Sequence, residues 1–206
     1  MKIDRTVAIV GAAALATFIA GSVWAVWPRA DRFADCRSTQ VAGGSGAIGG
    51  PFTLVDEDGR TVTDADVITR PTLVYFGYSY CPDVCPLDAA RNAEAVAELK
   101  DRGYDVGDVF ISIDPGRDTP EVMKEYTGYF SDDLLGLTGS AEQVAAAAKA
   151  YRVLYQKQDG GSDDYLMAHS TFTYLMFPDS GFAEFFNRDL PADQMAEQVG
   201  CFVEAA

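Results

Sequence analysis

The sequence predicts an α/β sandwich built on one mixed central sheet. Three observations carry this. Thr72-Leu73-Val74-Tyr75-Phe76 and Val109-Phe110-Ile111-Ser112-Ile113 are nearly continuous apolar runs, the pattern of strands covered on both faces. Each is followed by residues with helix-forming composition. Thr171 to Phe177 is rich in aromatic and β-branched residues, and Pro178-Asp179-Ser180-Gly181 turns it back into Phe182–Phe186, a strand–turn–strand signal. Strands alternating with helices and then closing in a hairpin give a mixed sheet.

The first element lies ahead of this domain. Lys2 and Arg5 precede Thr6 to Trp27, a stretch without a charged residue, and its core Val7 to Val26 is 20 residues long. That length makes about 30 Å of helix, enough for one bilayer crossing. Trp24 and Trp27 stand at its outer end, where indole rings favour the membrane interface. Residues 1–27 are therefore expected to be a membrane anchor. The other reading is a cleavable signal, with a weak small-residue site at Val23-Trp24-Ala25. Both readings export the rest of the chain. Lys2 and Arg5 favour a cytoplasmic N-terminus, a bias that Arg29 and Arg32 dilute.

Residues 28–47 read as a flexible tether, polar and then glycine-rich at Gly43-Gly44-Ser45-Gly46. The folded domain is expected over 48–206. Phe52–Val55 and Arg60–Thr63 flank Asp56-Glu57-Asp58-Gly59, a β-hairpin signal. Leu87 to Lys100 should be helix ending near Gly103. Asp114 to Pro120 is a loop, with Thr119 or Asp118 to cap a helix running to about Tyr129. A short strand is expected at Leu134–Leu137, a helix at Ala141–Tyr151 and an extended run at Arg152–Gln156. Asp159 to Asp164 is a solvated loop, and Ala192 to Val203 a closing helix. Strand–cysteine motif–helix, then strand–helix, then hairpin–helix is a thioredoxin-like order. The hairpin at 52–63 and the middle elements would be additions to it. No internal repeat is present.

Composition narrows the partners. Against 16 basic residues stand 31 acidic ones, a formal charge of −15. Nucleic acid and anionic lipid headgroups are poor partners for such a surface, whereas a basic protein patch or a cation suits it; the plain alternative is that most of the charge keeps an exported domain soluble. Export also sets the redox setting, because thiols outside the cytoplasm oxidise unless a reductant or a metal occupies them. The four cysteines, Cys36, Cys81, Cys85 and Cys201, suffice for one working pair and one structural bridge.

The reactive chemistry is concentrated in Cys81-Pro-Asp-Val-Cys85-Pro. Elsewhere there is one histidine, no phosphate-binding glycine loop and no hydrolase triad. If a helix has begun by Cys81, the two Cβ atoms lie about 5–6 Å apart on one face. That spacing suits two sulfurs gripping one soft metal ion, or closing into a disulfide. A helix N-terminus also lowers thiol pKa, favouring the thiolate that binds metal and exchanges disulfides. The prolines and the preceding glycine place the pair at an exposed turn. Thiolate selects Cu(I), Zn(II) and iron–sulfur species, and imidazole suits copper and zinc. His169, in Met167-Ala168-His169-Ser170, is the one imidazole available. In a thioredoxin-like arrangement the loop before a central strand packs against the start of the cysteine helix, which can bring His169 to the sulfurs. From the residues alone, metal binding and redox exchange both stand open, as do ligand and bystander for His169.

A resemblance is carried by several segments in order. Phe76-Gly77-Tyr78-Ser79-Tyr80-Cys81-Pro82-Asp83-Val84-Cys85-Pro86 resembles the signature of the Sco/SenC family. Ile113 to Val122 is similar to its second segment, and His169-Ser170 with Thr173-Tyr174-Leu175 and Pro178-Asp179-Ser180-Gly181 to its third. Gly50-Pro51-Phe52-Thr53-Leu54 and the anchor also fit, so the likeness spans roughly residues 48–204 in order. The resemblance implies a thioredoxin-like, membrane-anchored copper protein with Cys81, Cys85 and His169 as ligands to Cu(I) or Cu(II). It implies delivery of copper to the dinuclear centre of cytochrome c oxidase subunit II or its precursor. An alternative role within the family is a thiol-disulfide reductase, with Cys81 and Cys85 as the redox-active disulfide. Another copper chaperone or a thioredoxin-like reductant would then be a further partner. The expected location is a bacterial inner membrane, single-pass, with the C-terminal domain in the periplasm. One departure is visible: many members carry histidine where Tyr80 stands, a place outside the three ligands.

Other residues have two readings each. Asp114, Arg117 and Asp118 can orient His169, tune the thiols or contact a partner; the local alternative is a turn, an ion pair and a helix cap. Met167 offers a copper-compatible thioether or plain core packing. Tyr78, Tyr80 and Tyr174 are walls of the site or core. Cys36 and Cys201 lie outside the family signature and either form a structural disulfide or remain two separate thiols.

Overall fold

The computed structural model describes residues 31–39, 44–158 and 165–206. The expected anchor at 1–27 and the loop expected at 159–164 lie outside the described residues. Among the described residues no helix is long and apolar enough to cross a membrane. The chain divides into two units, Met1–Ala34 and Asp35–Ala206, and all the described strands and helices belong to the second.

In chain order the strands are β1 (Thr53–Asp56), β2 (Thr61–Thr63), β3 (Thr72–Gly77), β4 (Gly107–Ser112), β5 (Leu134–Thr138), β6 (Tyr155–Lys157), β7 (Met167–His169), β8 (Thr173–Phe177) and β9 (Gly181–Phe186). The helices are α1 (Asp64–Val67), α2 (Val84–Asp101), α3 (Pro120–Gly128), α4 (Ala141–Ala150) and α5 (Ala192–Glu204). Seven strands form one sheet in the order β2-β1-β5-β4-β3-β8-β9, and β6 and β7 pair separately. The β3–β4 and β4–β5 pairs are parallel, and the pairs of β8 with β3 and β9 are antiparallel. The expected mixed sheet follows from this, with the β1–β2 hairpin added beyond β5.

Every residue of β3 and β4 is buried, so both faces of the sheet centre are covered. Successive side chains alternate between faces, which separates Tyr75 from Phe76. The Tyr75 ring lies 5.6 Å from Phe110, and Phe110 lies 5.2 Å from Tyr126 of α3. On the same side the Tyr75 hydroxyl donates to Asp88 of α2 at 2.9 Å. Phe76 instead packs 5.2 Å from Tyr151, at the end of α4, and 6.3 Å from Tyr174. Helices α2 and α3 thus cover one face and the end of α4 the other, while α5 packs along α2.

Several boundaries differ from expectation for local reasons. Helix α2 begins at Val84, not Leu87, and Cys81 stands in the turn before it. Thr119 caps α3, its hydroxyl accepting the Val122 N–H at 3.3 Å. Asp118 is not the cap; it is fully buried and bonded to Ser79 and Ser112. The run expected from Arg152 to Gln156 becomes a strand only at Tyr155, because Arg152 takes a left-handed turn, φ 55°, at the exit of α4. The strand expected from Thr171 starts at Thr173, because Ser170 to Phe172 form the link from the short strand β7, which ends at His169.

Cys36 and Cys201 are joined by a disulfide across a sequence separation of 165 residues. Two residues on, the N–H groups of Ser38 and Thr39 donate to the buried Glu184 carboxylate at 2.9 and 3.1 Å. This part of the stretch expected to be a tether is therefore fastened to β9 and α5.

Candidate metal centre

Strand β3 ends at Gly77, directly beneath the cysteine motif. A Cβ there would meet Phe110 at 2.7 Å, Tyr75 at 2.9 Å and the Cys85 sulfur at 3.1 Å. Glycine lets the thiol pack against the strand end. Tyr78 to Asp83 then turns into α2, with the Cys81 N–H donating to the Tyr78 carbonyl at 3.3 Å. Because α2 begins at Val84, the Cys81 sulfur serves as acceptor for its first turn, taking the Cys85 N–H at 3.2 Å. Both thiols still meet, but through a turn-to-helix cap rather than as helical neighbours. The exposed turn expected for the pair holds for one member only, since Cys85 is fully buried and Cys81 part-buried.

His169 arrives from β7. Its Nδ1–H donates to the Ser170 carbonyl at 2.8 Å. A carbonyl only accepts, so Nδ1 carries a proton and Nε2 is the nitrogen turned toward the thiols. Nε2 faces the Cys85 sulfur at 3.3 Å. The donor atoms of Cys81, Cys85 and His169 all lie within 4.8 Å of one another. Two soft sulfurs and one imidazole in that space can hold a thiophilic ion such as copper. Tyr75 and Tyr78 wall the ring, presenting edges at 6.2 and 5.9 Å between centroids.

Electrostatics divides the two thiols. Cys81 is held far below the ordinary thiol range, chiefly by a hydrogen bond from the Cys85 thiol, with His169 and the Cys85 and Asp83 N–H groups adding to it and burial opposing. Cys85 is pushed up, first because it supplies that bond and then by burial. The two shifts run in opposite directions, so Cys81, the more accessible sulfur, is the one that ionises first.

The other expected residues are placed as follows. Asp114 and Arg117 form an ion pair at 2.5 Å. Asp118 accepts from the Ser79 N–H at 3.1 Å and from the hydroxyls of Ser79 and Ser112 at 2.5 Å each. Among the described residues, none of the three hydrogen-bonds His169; Asp118 braces the Cys81 turn instead. Met167 packs part-buried against the core. Tyr174 belongs to the opposite face, against Tyr151, and Tyr80 is exposed.

Sequence reading missed Asp88 and Arg91 behind the site. Asp88 is buried, accepts the Tyr75 hydroxyl and lies 3.8 Å from the Arg91 guanidinium. Burial raises its pKa, opposed by Tyr75 and Arg91. The signal was legible: Asp88 falls three residues after Cys85 on the stripe Cys85, Asp88, Asn92, Val96 and Leu99 that α2 buries, and an acid on a buried stripe requires a partner.

Comparison with known proteins settles the kinship. Residues 40–204 match the SCO1/SenC family. The chain belongs to the SCO1/SenC family. It is 51% identical over 204 residues to the protein SenC of Rhodobacter capsulatus, covering 98% of this chain and 92% of that one. It is 41% identical to the mitochondrial SCO1 homolog 1 of Arabidopsis thaliana over 76% of this chain, a match that spans about half, 47%, of the plant protein. Among solved structures it resembles Arabidopsis thaliana ScoI with copper bound, at 40% identity and a TM-score of 0.73 over 77% of this chain and 99% of that one. Bradyrhizobium japonicum ScoI with copper bound gives 39% identity and a TM-score of 0.69 over 75% and 98%. The thioredoxin-like α/β architecture is the one this family shares.

Proposed function

We propose that this chain is a membrane-anchored copper chaperone, with Cys81, Cys85 and His169 as the ligands. The convergence of two sulfurs and one imidazole within 4.8 Å carries the reading. Relatives whose structures hold copper, at 40% and 39% identity, support it. The reduced pair meets Cu(I) with the Cys81 thiolate first, and the Cys85 proton leaves as its sulfur joins. His169 adds the third donor, which an ion in the Cu(II) state needs more than Cu(I) does. Because Cys81 and His169 are part-buried rather than enclosed, a partner's thiolate can enter and take the ion by ligand exchange without releasing it to water. The recipient is the dinuclear copper centre of cytochrome c oxidase subunit II. The anchor at 1–27 holds the domain on the periplasmic side of the inner membrane, beside that recipient.

Copper titration of the reduced full-length chain tests this. Wild type takes up one copper ion, Cys81→Ser and Cys85→Ser take up none, and His169→Ala keeps Cu(I) but loses Cu(II). Stoichiometric Cu(II) binding by Cys85→Ser contradicts the assignment.

A second reading has an observation of its own. An accessible thiolate beside a buried thiol is the arrangement of a dithiol reductant, with Cys81 attacking and Cys85 resolving. In that case His169→Ala supports oxidase assembly in cells; for a chaperone it does not.

A further inference from the structure

Among the described residues the β6–β7 ribbon that carries His169 is not part of the main sheet, so no ladder to that sheet fixes it over the sulfurs. Side chains do this instead. Tyr165, just ahead of β7, donates its hydroxyl to Asp114 at 2.7 Å. The Arg117 guanidinium lies 3.6 Å from the Tyr165 ring centroid, 4.6 Å from that of Tyr80 and 5.8 Å from that of Tyr78. Its Nε donates to the same Asp114 carboxylate at 2.5 Å. Among the described residues one Arg117 nitrogen, Nη2, is buried without a hydrogen-bond acceptor, as suits a cation held by ring faces. Tyr78 and Tyr80 belong to the turn that carries Cys81, and Tyr165 belongs to the ribbon that carries His169. Tyr78 also accepts the Met167 N–H at 3.2 Å. Arg117 therefore touches both arms of the site and neither ligand.

We propose that Arg117, fixed by Asp114, is a positioning residue: it clamps Tyr165 to the Cys81 turn and so holds His169 over the two sulfurs. This rests on His169 being the third copper ligand. With the clamp closed, three donors face one point. With it open, the ribbon carries the imidazole away and leaves a two-sulfur site, which suffices for Cu(I) but not for Cu(II). Arg117 then tunes the choice between the two oxidation states and the ease of handing Cu(I) onward.

The test compares wild type, Arg117→Ala, Tyr165→Phe and His169→Ala as reduced full-length chains. Cu(I) affinity is read against a Cu(I) chelator, and Cu(II) by spin resonance and its sulfur charge-transfer band. Amide hydrogen exchange of the metal-free chain is the independent readout. Arg117→Ala is expected to lose Cu(II) affinity by about 10–100-fold, the usual effect of an outer partner, with Cu(I) affinity held within about threefold. Exchange over 165–170 should quicken while β3 and β4 stay protected, with Tyr165→Phe showing a smaller change in the same direction. Unchanged Cu(II) affinity and unchanged exchange in Arg117→Ala overturn the proposal. So does equal loss of both oxidation states with faster exchange throughout, which marks general loosening. If His169→Ala itself keeps full Cu(II) binding, the ligand assignment fails, and the exchange pattern still decides the clamp.

Discussion

Cutting the Cys36–Cys201 disulfide releases a constraint on the unfolded chain that is large because the bridge is long. The sequence separation is 165 residues. In the chain-entropy account, a closed loop of that size takes about 17 cal/mol/K from the unfolded ensemble, or about 5 kcal/mol at 25 °C. The bridge also delivers Ser38 and Thr39 to the Glu184 carboxylate, so its loss puts those bonds at risk. The clean comparison is Cys36→Ser/Cys201→Ser against its parent, both carrying Cys81→Ser and Cys85→Ser so that site chemistry does not intrude. Urea unfolding at a slope of roughly 2–3 kcal/mol/M turns 5 kcal/mol into a midpoint shift of about 2 M. A shift below about 0.5 M refutes the reasoning. It would mean that residues 36–39 are held without the bridge, or that the unfolded chain is already compact.

Three further outcomes follow. Because Cys81 is pulled down and Cys85 pushed up, Cu(I) uptake near pH 7 should release about one proton per ion, measured in weak buffer with a pH indicator; about two protons would show both thiols neutral. Asp108, buried on β4, is pushed up to about 7 by burial, against weaker pulls from the Val109 N–H and Arg91. Its folded pKa exceeds the unfolded value near 4, so the folded state binds the proton more tightly and stability falls as pH rises from about 4 to 7. Above that window the cost is at most roughly 4 kcal/mol, so Asp108→Asn should flatten the pH profile of urea midpoints; an unchanged slope counts against it. Asp118→Ala leaves the Ser79 and Ser112 hydroxyls without their buried acceptor and should cost about 1–3 kcal/mol, with Cys81 alkylated faster by iodoacetamide. Unaltered alkylation would show that the Cys81 turn stands without this brace.

The sheet centre was legible because Thr72–Phe76 and Val109–Ile113 are short, nearly continuous apolar runs rich in β-branched and aromatic residues, the pattern of strands covered on both faces. The three converging side chains were legible from thiol spacing together with the order of segments around them. What local pattern could not supply was long-range geometry. The start of α2 at Val84 depends on the Cys81 sulfur accepting a backbone N–H, a bond no propensity encodes. β7 escaped notice because three residues pairing with β6 carry no period. The Arg117 cluster gathers Tyr78, Tyr80 and Tyr165 from two distant segments, and Asp118 looked like a cap because its true partners, Ser79 and Ser112, are set by the fold. Asp88 was readable in principle, as an acid on the buried stripe of α2.

X-ray absorption at the copper edge of the loaded full-length chain tests the central claim most directly. The account predicts two sulfurs and one imidazole nitrogen around Cu(II) in wild type, with the imidazole scattering gone in His169→Ala. A first shell of nitrogen and oxygen without sulfur, or one unaltered by His169→Ala, would contradict it.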